Sequence, residues 1–253
     1  MMPDIQTLIP CFIVLPLTVS VLIQLVARRR AVLAGWMACL TMLVLMLTAL
    51  ATVGSATGGE MIYNMGGWAT PIGIDLRMDN LTSLMVVTIN TIGLAVVLYA
   101  VDYMRQFTAP PRFYSLFLLM VTGMNGVVMT GDLFNLYVFL EISAIASYSL
   151  VAFGCEKEEL EASFKYIVLG SVSSALILIA LALMYGVTGA LNMAQVSGRV
   201  AEGGMDAPLV LAFSLFICGF AFKAALVPFH AWLPDAHPAA PAPVSAMLSG
   251  VLI

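Results

Sequence analysis

From Ile5 to Ala27 the chain carries no charged side chain, and apolar runs of similar length recur to its last residue. A run of this kind has few structural solutions. About 20 apolar residues in a helix cross roughly 30 Å of hydrocarbon. Lipid offers the backbone no hydrogen-bonding partner, so each crossing must satisfy its own amides as a helix. Such runs lie near 5–27, 31–53, 80–101, 113–130, 133–154, 163–186 and 208–229, and another begins near Pro241 and is still running at Ile253. The expected fold class is therefore an all-α integral membrane protein with about seven complete transmembrane helices plus a truncated eighth. Composition agrees: 62% of residues are hydrophobic and 9% charged, with mean hydropathy +1.04. A soluble domain carries about 25% charged residues.

The first run is longer than the apolar stretch of a secretory signal, and its arginines follow it, so it reads as a retained span. Net charge is −4 without a basic tract, which argues against nucleic acid as a partner. Cys11, Cys39, Cys155 and Cys218 are scattered without metal-site spacing and read as small apolar fillers, so no metal site is expected.

Orientation follows from the basic residues. With the N-terminus outside, Arg28, Arg29, Arg30, Arg105, Arg112, Lys157 and Lys165 fall on the inner side, and Arg77 and Arg199 on the outer. That asymmetry fits the positive-inside rule and predicts an external N-terminus in a cell inner or plasma membrane. The long outer loop, 54–79, is glycine-rich and suited to short extended structure.

Two charges lie deep in apolar spans. Glu141 has no charged neighbour between Asp132 and Glu156, and Lys223 sits far along the run that starts near 208. At 1.5 Å per residue, Glu141 is about 12 Å and Lys223 about 22 Å from the outer ends of their spans. Ionisable groups at such depth are costly and mark ion or proton pathways. Low dielectric favours the neutral form of either group, so each responds to a nearby moving charge. A Glu–Lys pair that only locks two helices remains the plainer alternative.

A second cluster, "FKAALVPFHAWLPDAHPAAPAPVSA" from Phe222, holds His230, Asp235 and His237 among five prolines. Pro228 and Pro234 are expected to break the helix after Lys223. Irregular backbone at membrane depth is tolerated where it is buried in protein or lines a wet cavity. In a continuous helix, Lys223 and His230 would share one face. Imidazole can serve a proton relay or simply bond within a loop.

Three segments, "GDLFNLYVFLEISAIASYSLV", "FKYIVLGSVSSALILIALALMYGVTG" and "FKAALVPFHAWLPDAHPAAPAPVSAML", follow one another in order. Together they resemble the antiporter-like subunits shared by Mrp sodium/proton antiporters, respiratory complex I and membrane-bound hydrogenases, and look closer to the Mrp D-type subunit and its hydrogenase relatives than to the complex I subunits. The resemblance implies inverted repeats and a hydrated charged axis across the membrane. On that pattern, residues 1–112 hold helices 1–3 with the outer loop, and residues 113–253 hold an incomplete first repeat with a broken seventh helix. It assigns Glu141, Lys223 and His230 to a proton relay, with His237, Lys165 and Asp235 as further relay or loop residues. The family pattern places another lysine beyond Ile253, so the chain is expected to be a truncated product, a fragment or one piece of a split subunit.

The function so implied is proton translocation, with or without sodium coupling, as one membrane subunit of a hetero-oligomeric antiporter or redox-driven pump. No nucleotide, flavin, haem or iron–sulfur motif is present, so no cofactor is expected and any redox chemistry belongs to partner subunits. The alternatives are a scaffold that anchors a soluble oxidoreductase or an inorganic-carbon-handling partner, and a quinone-site subunit.

Overall fold

The computed structural model describes residues 8–56 and 60–253. Ten α-helices make up most of the described residues: α1 (Cys11–Val26), α2 (Ala31–Ala56), α3 (Asn80–Tyr103), α4 (Pro110–Met129), α5 (Leu133–Val151), α6 (Lys157–Thr188), α7 (Met193–Gly203), α8 (Ala207–Lys223), α9 (Leu233–Ala239) and α10 (Ala242–Met247). Strands β1 (Met61–Asn64) and β2 (Asp75–Met78) pair antiparallel in the loop between α2 and α3.

Among the described residues, five helical segments are long and apolar enough to cross a membrane: Ala31–Val53, Asn80–Gln106, Pro110–Met129, Leu133–Val151 and Lys157–Thr188. This corrects the expected seven complete spans with a truncated eighth. The first-half, inverted-repeat reading with a broken seventh helix depends on that count and goes with it. Apolar composition sets the expected spans, but hydrogen bonding sets where a helix stops. Helix α1 starts only after Pro10 and has 16 residues. Helix α8 has 17 residues and ends at Lys223, ahead of Ala225 at φ 49°. At 1.5 Å per residue those lengths are about 24 and 25 Å, short of the roughly 30 Å core. Helix α6 errs the other way. Its acidic first turn, with Glu158 and Glu159, complements the helix dipole and extends the helix outward from the expected 163 to Lys157.

Helix α4 is the central element. Of its span 72% is buried, against 39% for each of the other four, and it packs against α1, α2, α3 and α5. Polar side chains tie these helices together. Ser20 and Ser115 each donate to the other's backbone carbonyl, at 3.0 and 2.8 Å, which joins α1 to α4. The fully buried Asn90 and Asn125 pair across α3 and α4 at 3.0 Å. In lipid such bonds contribute modestly, about 0.6–2 kcal/mol each, because the same groups find other partners in the unassembled helices.

The contact between α4 and α5 depends on missing side chains. A Cβ on Gly123 would fall 2.6 Å from the Ser143 amide nitrogen and 2.7 Å from the Phe139 carbonyl oxygen. A Cβ on Gly126 would fall 2.3 Å from the Phe139 ring. Small residues let membrane helices approach this closely. The approach seats α5 against the centre of the bundle and fixes the face on which Glu141 lies.

At the end of the bundle that carries the β1–β2 hairpin, Asp75 is fully buried and stitches three segments. Its carboxylate accepts from Asn192 Nδ2 at 2.7 Å and from Arg77 Nε at 2.7 Å, while its carbonyl accepts from the Gly131 amide at 3.0 Å. The hairpin thereby closes over the start of α5 and the α6–α7 connection. Asp132 caps α5 by accepting from the Asn135 amide at 2.8 Å.

Candidate functional site: a half-buried Glu–Ser–Lys contact

Glu141 lies two turns into α5, within an otherwise apolar stretch. Opposite it, α6 and α8 pack closely. Ser173 Oγ donates to the Gly219 carbonyl at 2.7 Å, and a Cβ on Gly219 would stand 2.5 Å from Ile177 Cγ1. One turn beyond Gly219, Lys223 ends α8 and turns its ammonium toward α5. Lys223 Nζ lies 3.2 Å from Glu141 Oε1 and 3.2 Å from Ser174 Oγ. Ser174 in turn donates to the same Glu141 Oε1. Three helices therefore contribute one polar group each to a single contact. The Lys223 and Glu141 side chains are 16% and 26% exposed, so the pair is mostly removed from its surroundings but not sealed.

The backbone just past Lys223 is irregular. Ala225 has φ 49°, and Pro228 lies in the turn that follows. The Phe222 carbonyl, in the last turn of α8, accepts from the Ala225 amide at 3.2 Å and from Trp232 Nε1 at 3.0 Å. Trp232 itself stacks on Tyr166 of α6 with ring centroids 4.1 Å apart. The segment is thus folded back onto the bundle, and the Lys223–His230 stacking of a continuous helix is not formed. His230 is exposed beyond the turn and joins neither Glu141 nor Lys223. Pro234 occupies the first turn of α9, where its missing N–H costs no helix bond.

The remaining expected residues form two separate contacts. Lys165 bridges Asp235 at 2.7 Å and Glu161 at 2.9 Å, tying α6 to α9. All three side chains are largely exposed, a setting in which ion pairs contribute about 0–1 kcal/mol. His237 Nδ1 meets Ser245 Oγ at 2.8 Å, tying α9 to α10.

Sequence reasoning assigned no role to Ser174. Its signal is weak: serine recurs at 171, 173 and 174 within an apolar helix, but serine at such positions commonly bonds back to its own helix.

Residues 130–253 match the family described as NADH:quinone oxidoreductase/Mrp antiporter, TM, and residues 65–114 match NADH-Ubiquinone oxidoreductase (complex I), chain 5 N-terminus. The N-type subunit of the NADH-quinone oxidoreductase of Desulforudis audaxviator is 37% identical over 99% of this chain and 50% of its own length. The D-type subunit of the Na(+)/H(+) antiporter of Bacillus subtilis is 39% identical over 78% of this chain and 40% of its own. A chain of the archaeal membrane-bound sulfane sulfur reductase superposes with a TM-score of 0.87 at 34% identity, covering 96% of this chain and 50% of that one. The chain thus spans about half the length of the relatives it matches. It belongs to the superfamily of antiporter-like membrane subunits shared by NADH:quinone oxidoreductase and Mrp antiporters.

Proposed function

We propose that this protein is a proton-translocating subunit of a multi-subunit membrane complex, in which Glu141 and Lys223 exchange protons inside the bundle. The observation that carries the reading is the 3.2 Å contact between an acid and an amine, on different helices, within otherwise apolar segments. Each group stabilises the charged form of the other. When a proton arrives at Glu141, Lys223 loses its counter-charge and tends to release its own proton. Two interacting sites of this kind titrate as a pair, so charge is passed on rather than stored. A contact that served only to hold α5 to α8 would gain little over apolar packing, since desolvation offsets much of the Coulombic attraction.

The named relatives comprise an NADH-quinone oxidoreductase subunit, a Na(+)/H(+) antiporter subunit and a sulfane sulfur reductase. Proton exchange by a central pair is chemistry that either a cation gradient or a redox partner could drive. The test is transport in everted membrane vesicles from the organism that carries the gene. Deletion is expected to remove either discharge of a proton gradient by added sodium or potassium, or its build-up by a redox substrate. The intact gene is expected to restore it. Unchanged gradient handling in the deletion strain would overturn the reading.

The topology proposed with it has the N-terminus outside, with the 16-residue α1 crossing in addition to the five long spans. The α5–α6 loop, with its exposed Cys155, then faces the cytoplasm. In a variant with Cys155 as the sole cysteine, a membrane-impermeant maleimide is expected to label everted vesicles and spare right-side-out ones. The reverse pattern would invert the topology.

A further inference from the structure

Ser174 has one hydroxyl proton and three polar neighbours. It donates to Glu141 Oε1, it accepts from Lys223 Nζ at 3.2 Å, and it lies 3.0 Å from the Gly170 carbonyl of its own helix. The Oγ is therefore a meeting point, and its proton has two acceptors to choose between. Ser174 is 7% exposed, so these are the partners that matter. The surrounding backbone is tightly fitted here: a Cβ on Gly170 would fall 1.9 Å from Tyr148 Oη.

We propose that Ser174 is the relay hydroxyl of the site, passing protons between Lys223 and Glu141 and resting on the Gly170 carbonyl between transfers. The proposal rests on the proton-exchange reading above. In the charged state the ammonium points at Oγ while Oγ–H points at the carboxylate. Transfer breaks one Nζ–H bond and forms a new bond to Oγ, as the original Oγ–H bond breaks and a proton forms a carboxylic acid on Glu141. The serine ends as it began; Lys223 has lost its positive charge and Glu141 its negative one. In the neutral state Glu141 becomes the donor. Ser174 can accept from it while its own hydrogen points at either the Lys223 lone pair or the Gly170 carbonyl. Because the carbonyl takes the hydrogen in one orientation, neither rotamer leaves the buried hydroxyl unpaired, which would otherwise be costly. A hydroxyl is suited to this because it donates and accepts at once.

The experiment compares Ser174→Thr with Ser174→Val, two side chains of similar shape that differ by the hydroxyl. Ser174→Ala is tested beside them, and Ser214→Ala serves as a control on a serine of α8 that is exposed and bonded back to Val210. Transport is measured across a pH series in vesicles from the native host, with subunit abundance followed by immunoblot. Threonine is expected to keep most of the rate. Valine and alanine are expected to lose about tenfold or more at normal abundance, with a displaced pH profile. Equal rates and pH profiles for Thr and Val, with Glu141→Gln inactive, would overturn the relay role and leave the pair standing. Activity in Glu141→Gln as well would overturn both.

Discussion

Glu141→Gln is expected to abolish coupled transport while the subunit remains in the membrane at normal abundance. Glutamine keeps the length and the accepting oxygen of glutamate, so the bond from Ser174 and the packing of α5 against α4 survive. What disappears is the ability to carry a proton on and off. A side chain that acts as acid and base within a transfer supplies about 10²–10⁴-fold in rate, so the expected loss is at least about a hundredfold. The substitution also removes the counter-charge of Lys223. That amine can shed its proton in response, which limits the structural cost. Transport at the wild-type rate in this variant would make Glu141 a structural residue.

Lys223→Arg is expected to be nearly as damaging as Lys223→Ala. Arginine preserves a positive charge at the end of α8 and can hold the Glu141 carboxylate, so a purely structural ion pair would tolerate it. A relay would not, because the guanidinium stays protonated throughout and cannot hand its proton on. Its planar fork must also replace an ammonium that reaches both Glu141 and Ser174 at 3.2 Å. Initial rates in vesicles, normalised to subunit abundance, separate the two cases. An arginine variant with full activity would show that fixed charge suffices and would remove Lys223 from the proton path.

The two central residues were legible because lipid makes charge conspicuous. One acid in the stretch from Leu133 to Val151, and one amine at the end of a run starting near Ala207, stand out against a background that excludes them. Their meeting was not legible, since it depends on how α6 and α8 interlock at Ser173 and Gly219. Ser174 stayed hidden for a related reason. A serine in an apolar helix satisfies itself on the preceding turn, as this one also does at Gly170, and only the third dimension shows a second use.

The span count failed at positions where composition and hydrogen bonding diverge. Residues 224–229 are apolar enough to extend a helix, yet the chain turns there: the Leu226 amide bonds to the Ala221 carbonyl, and Trp232 joins the Ala225 amide on the Phe222 carbonyl. His230 looked two turns from Lys223 only on the assumption of unbroken helix. Conversely, the charged residues before 163, expected as an amphipathic entry to the sixth span, are continuous with it and form the first turns of α6, where Glu161 and Lys165 pair along the helix at 2.9 Å.

The central claim is that Glu141 changes protonation in concert with Lys223, and infrared difference spectroscopy on the assembled complex in membranes reads that change. Between low and high pH, the wild-type spectrum is expected to contain a carbonyl band from a protonated carboxylic acid that is lost on deprotonation. That band should be missing in Glu141→Gln and should titrate at a different pH in Lys223→Ala. A difference spectrum that is the same in wild type and Glu141→Gln would show that the buried acid does not titrate, and would contradict the account.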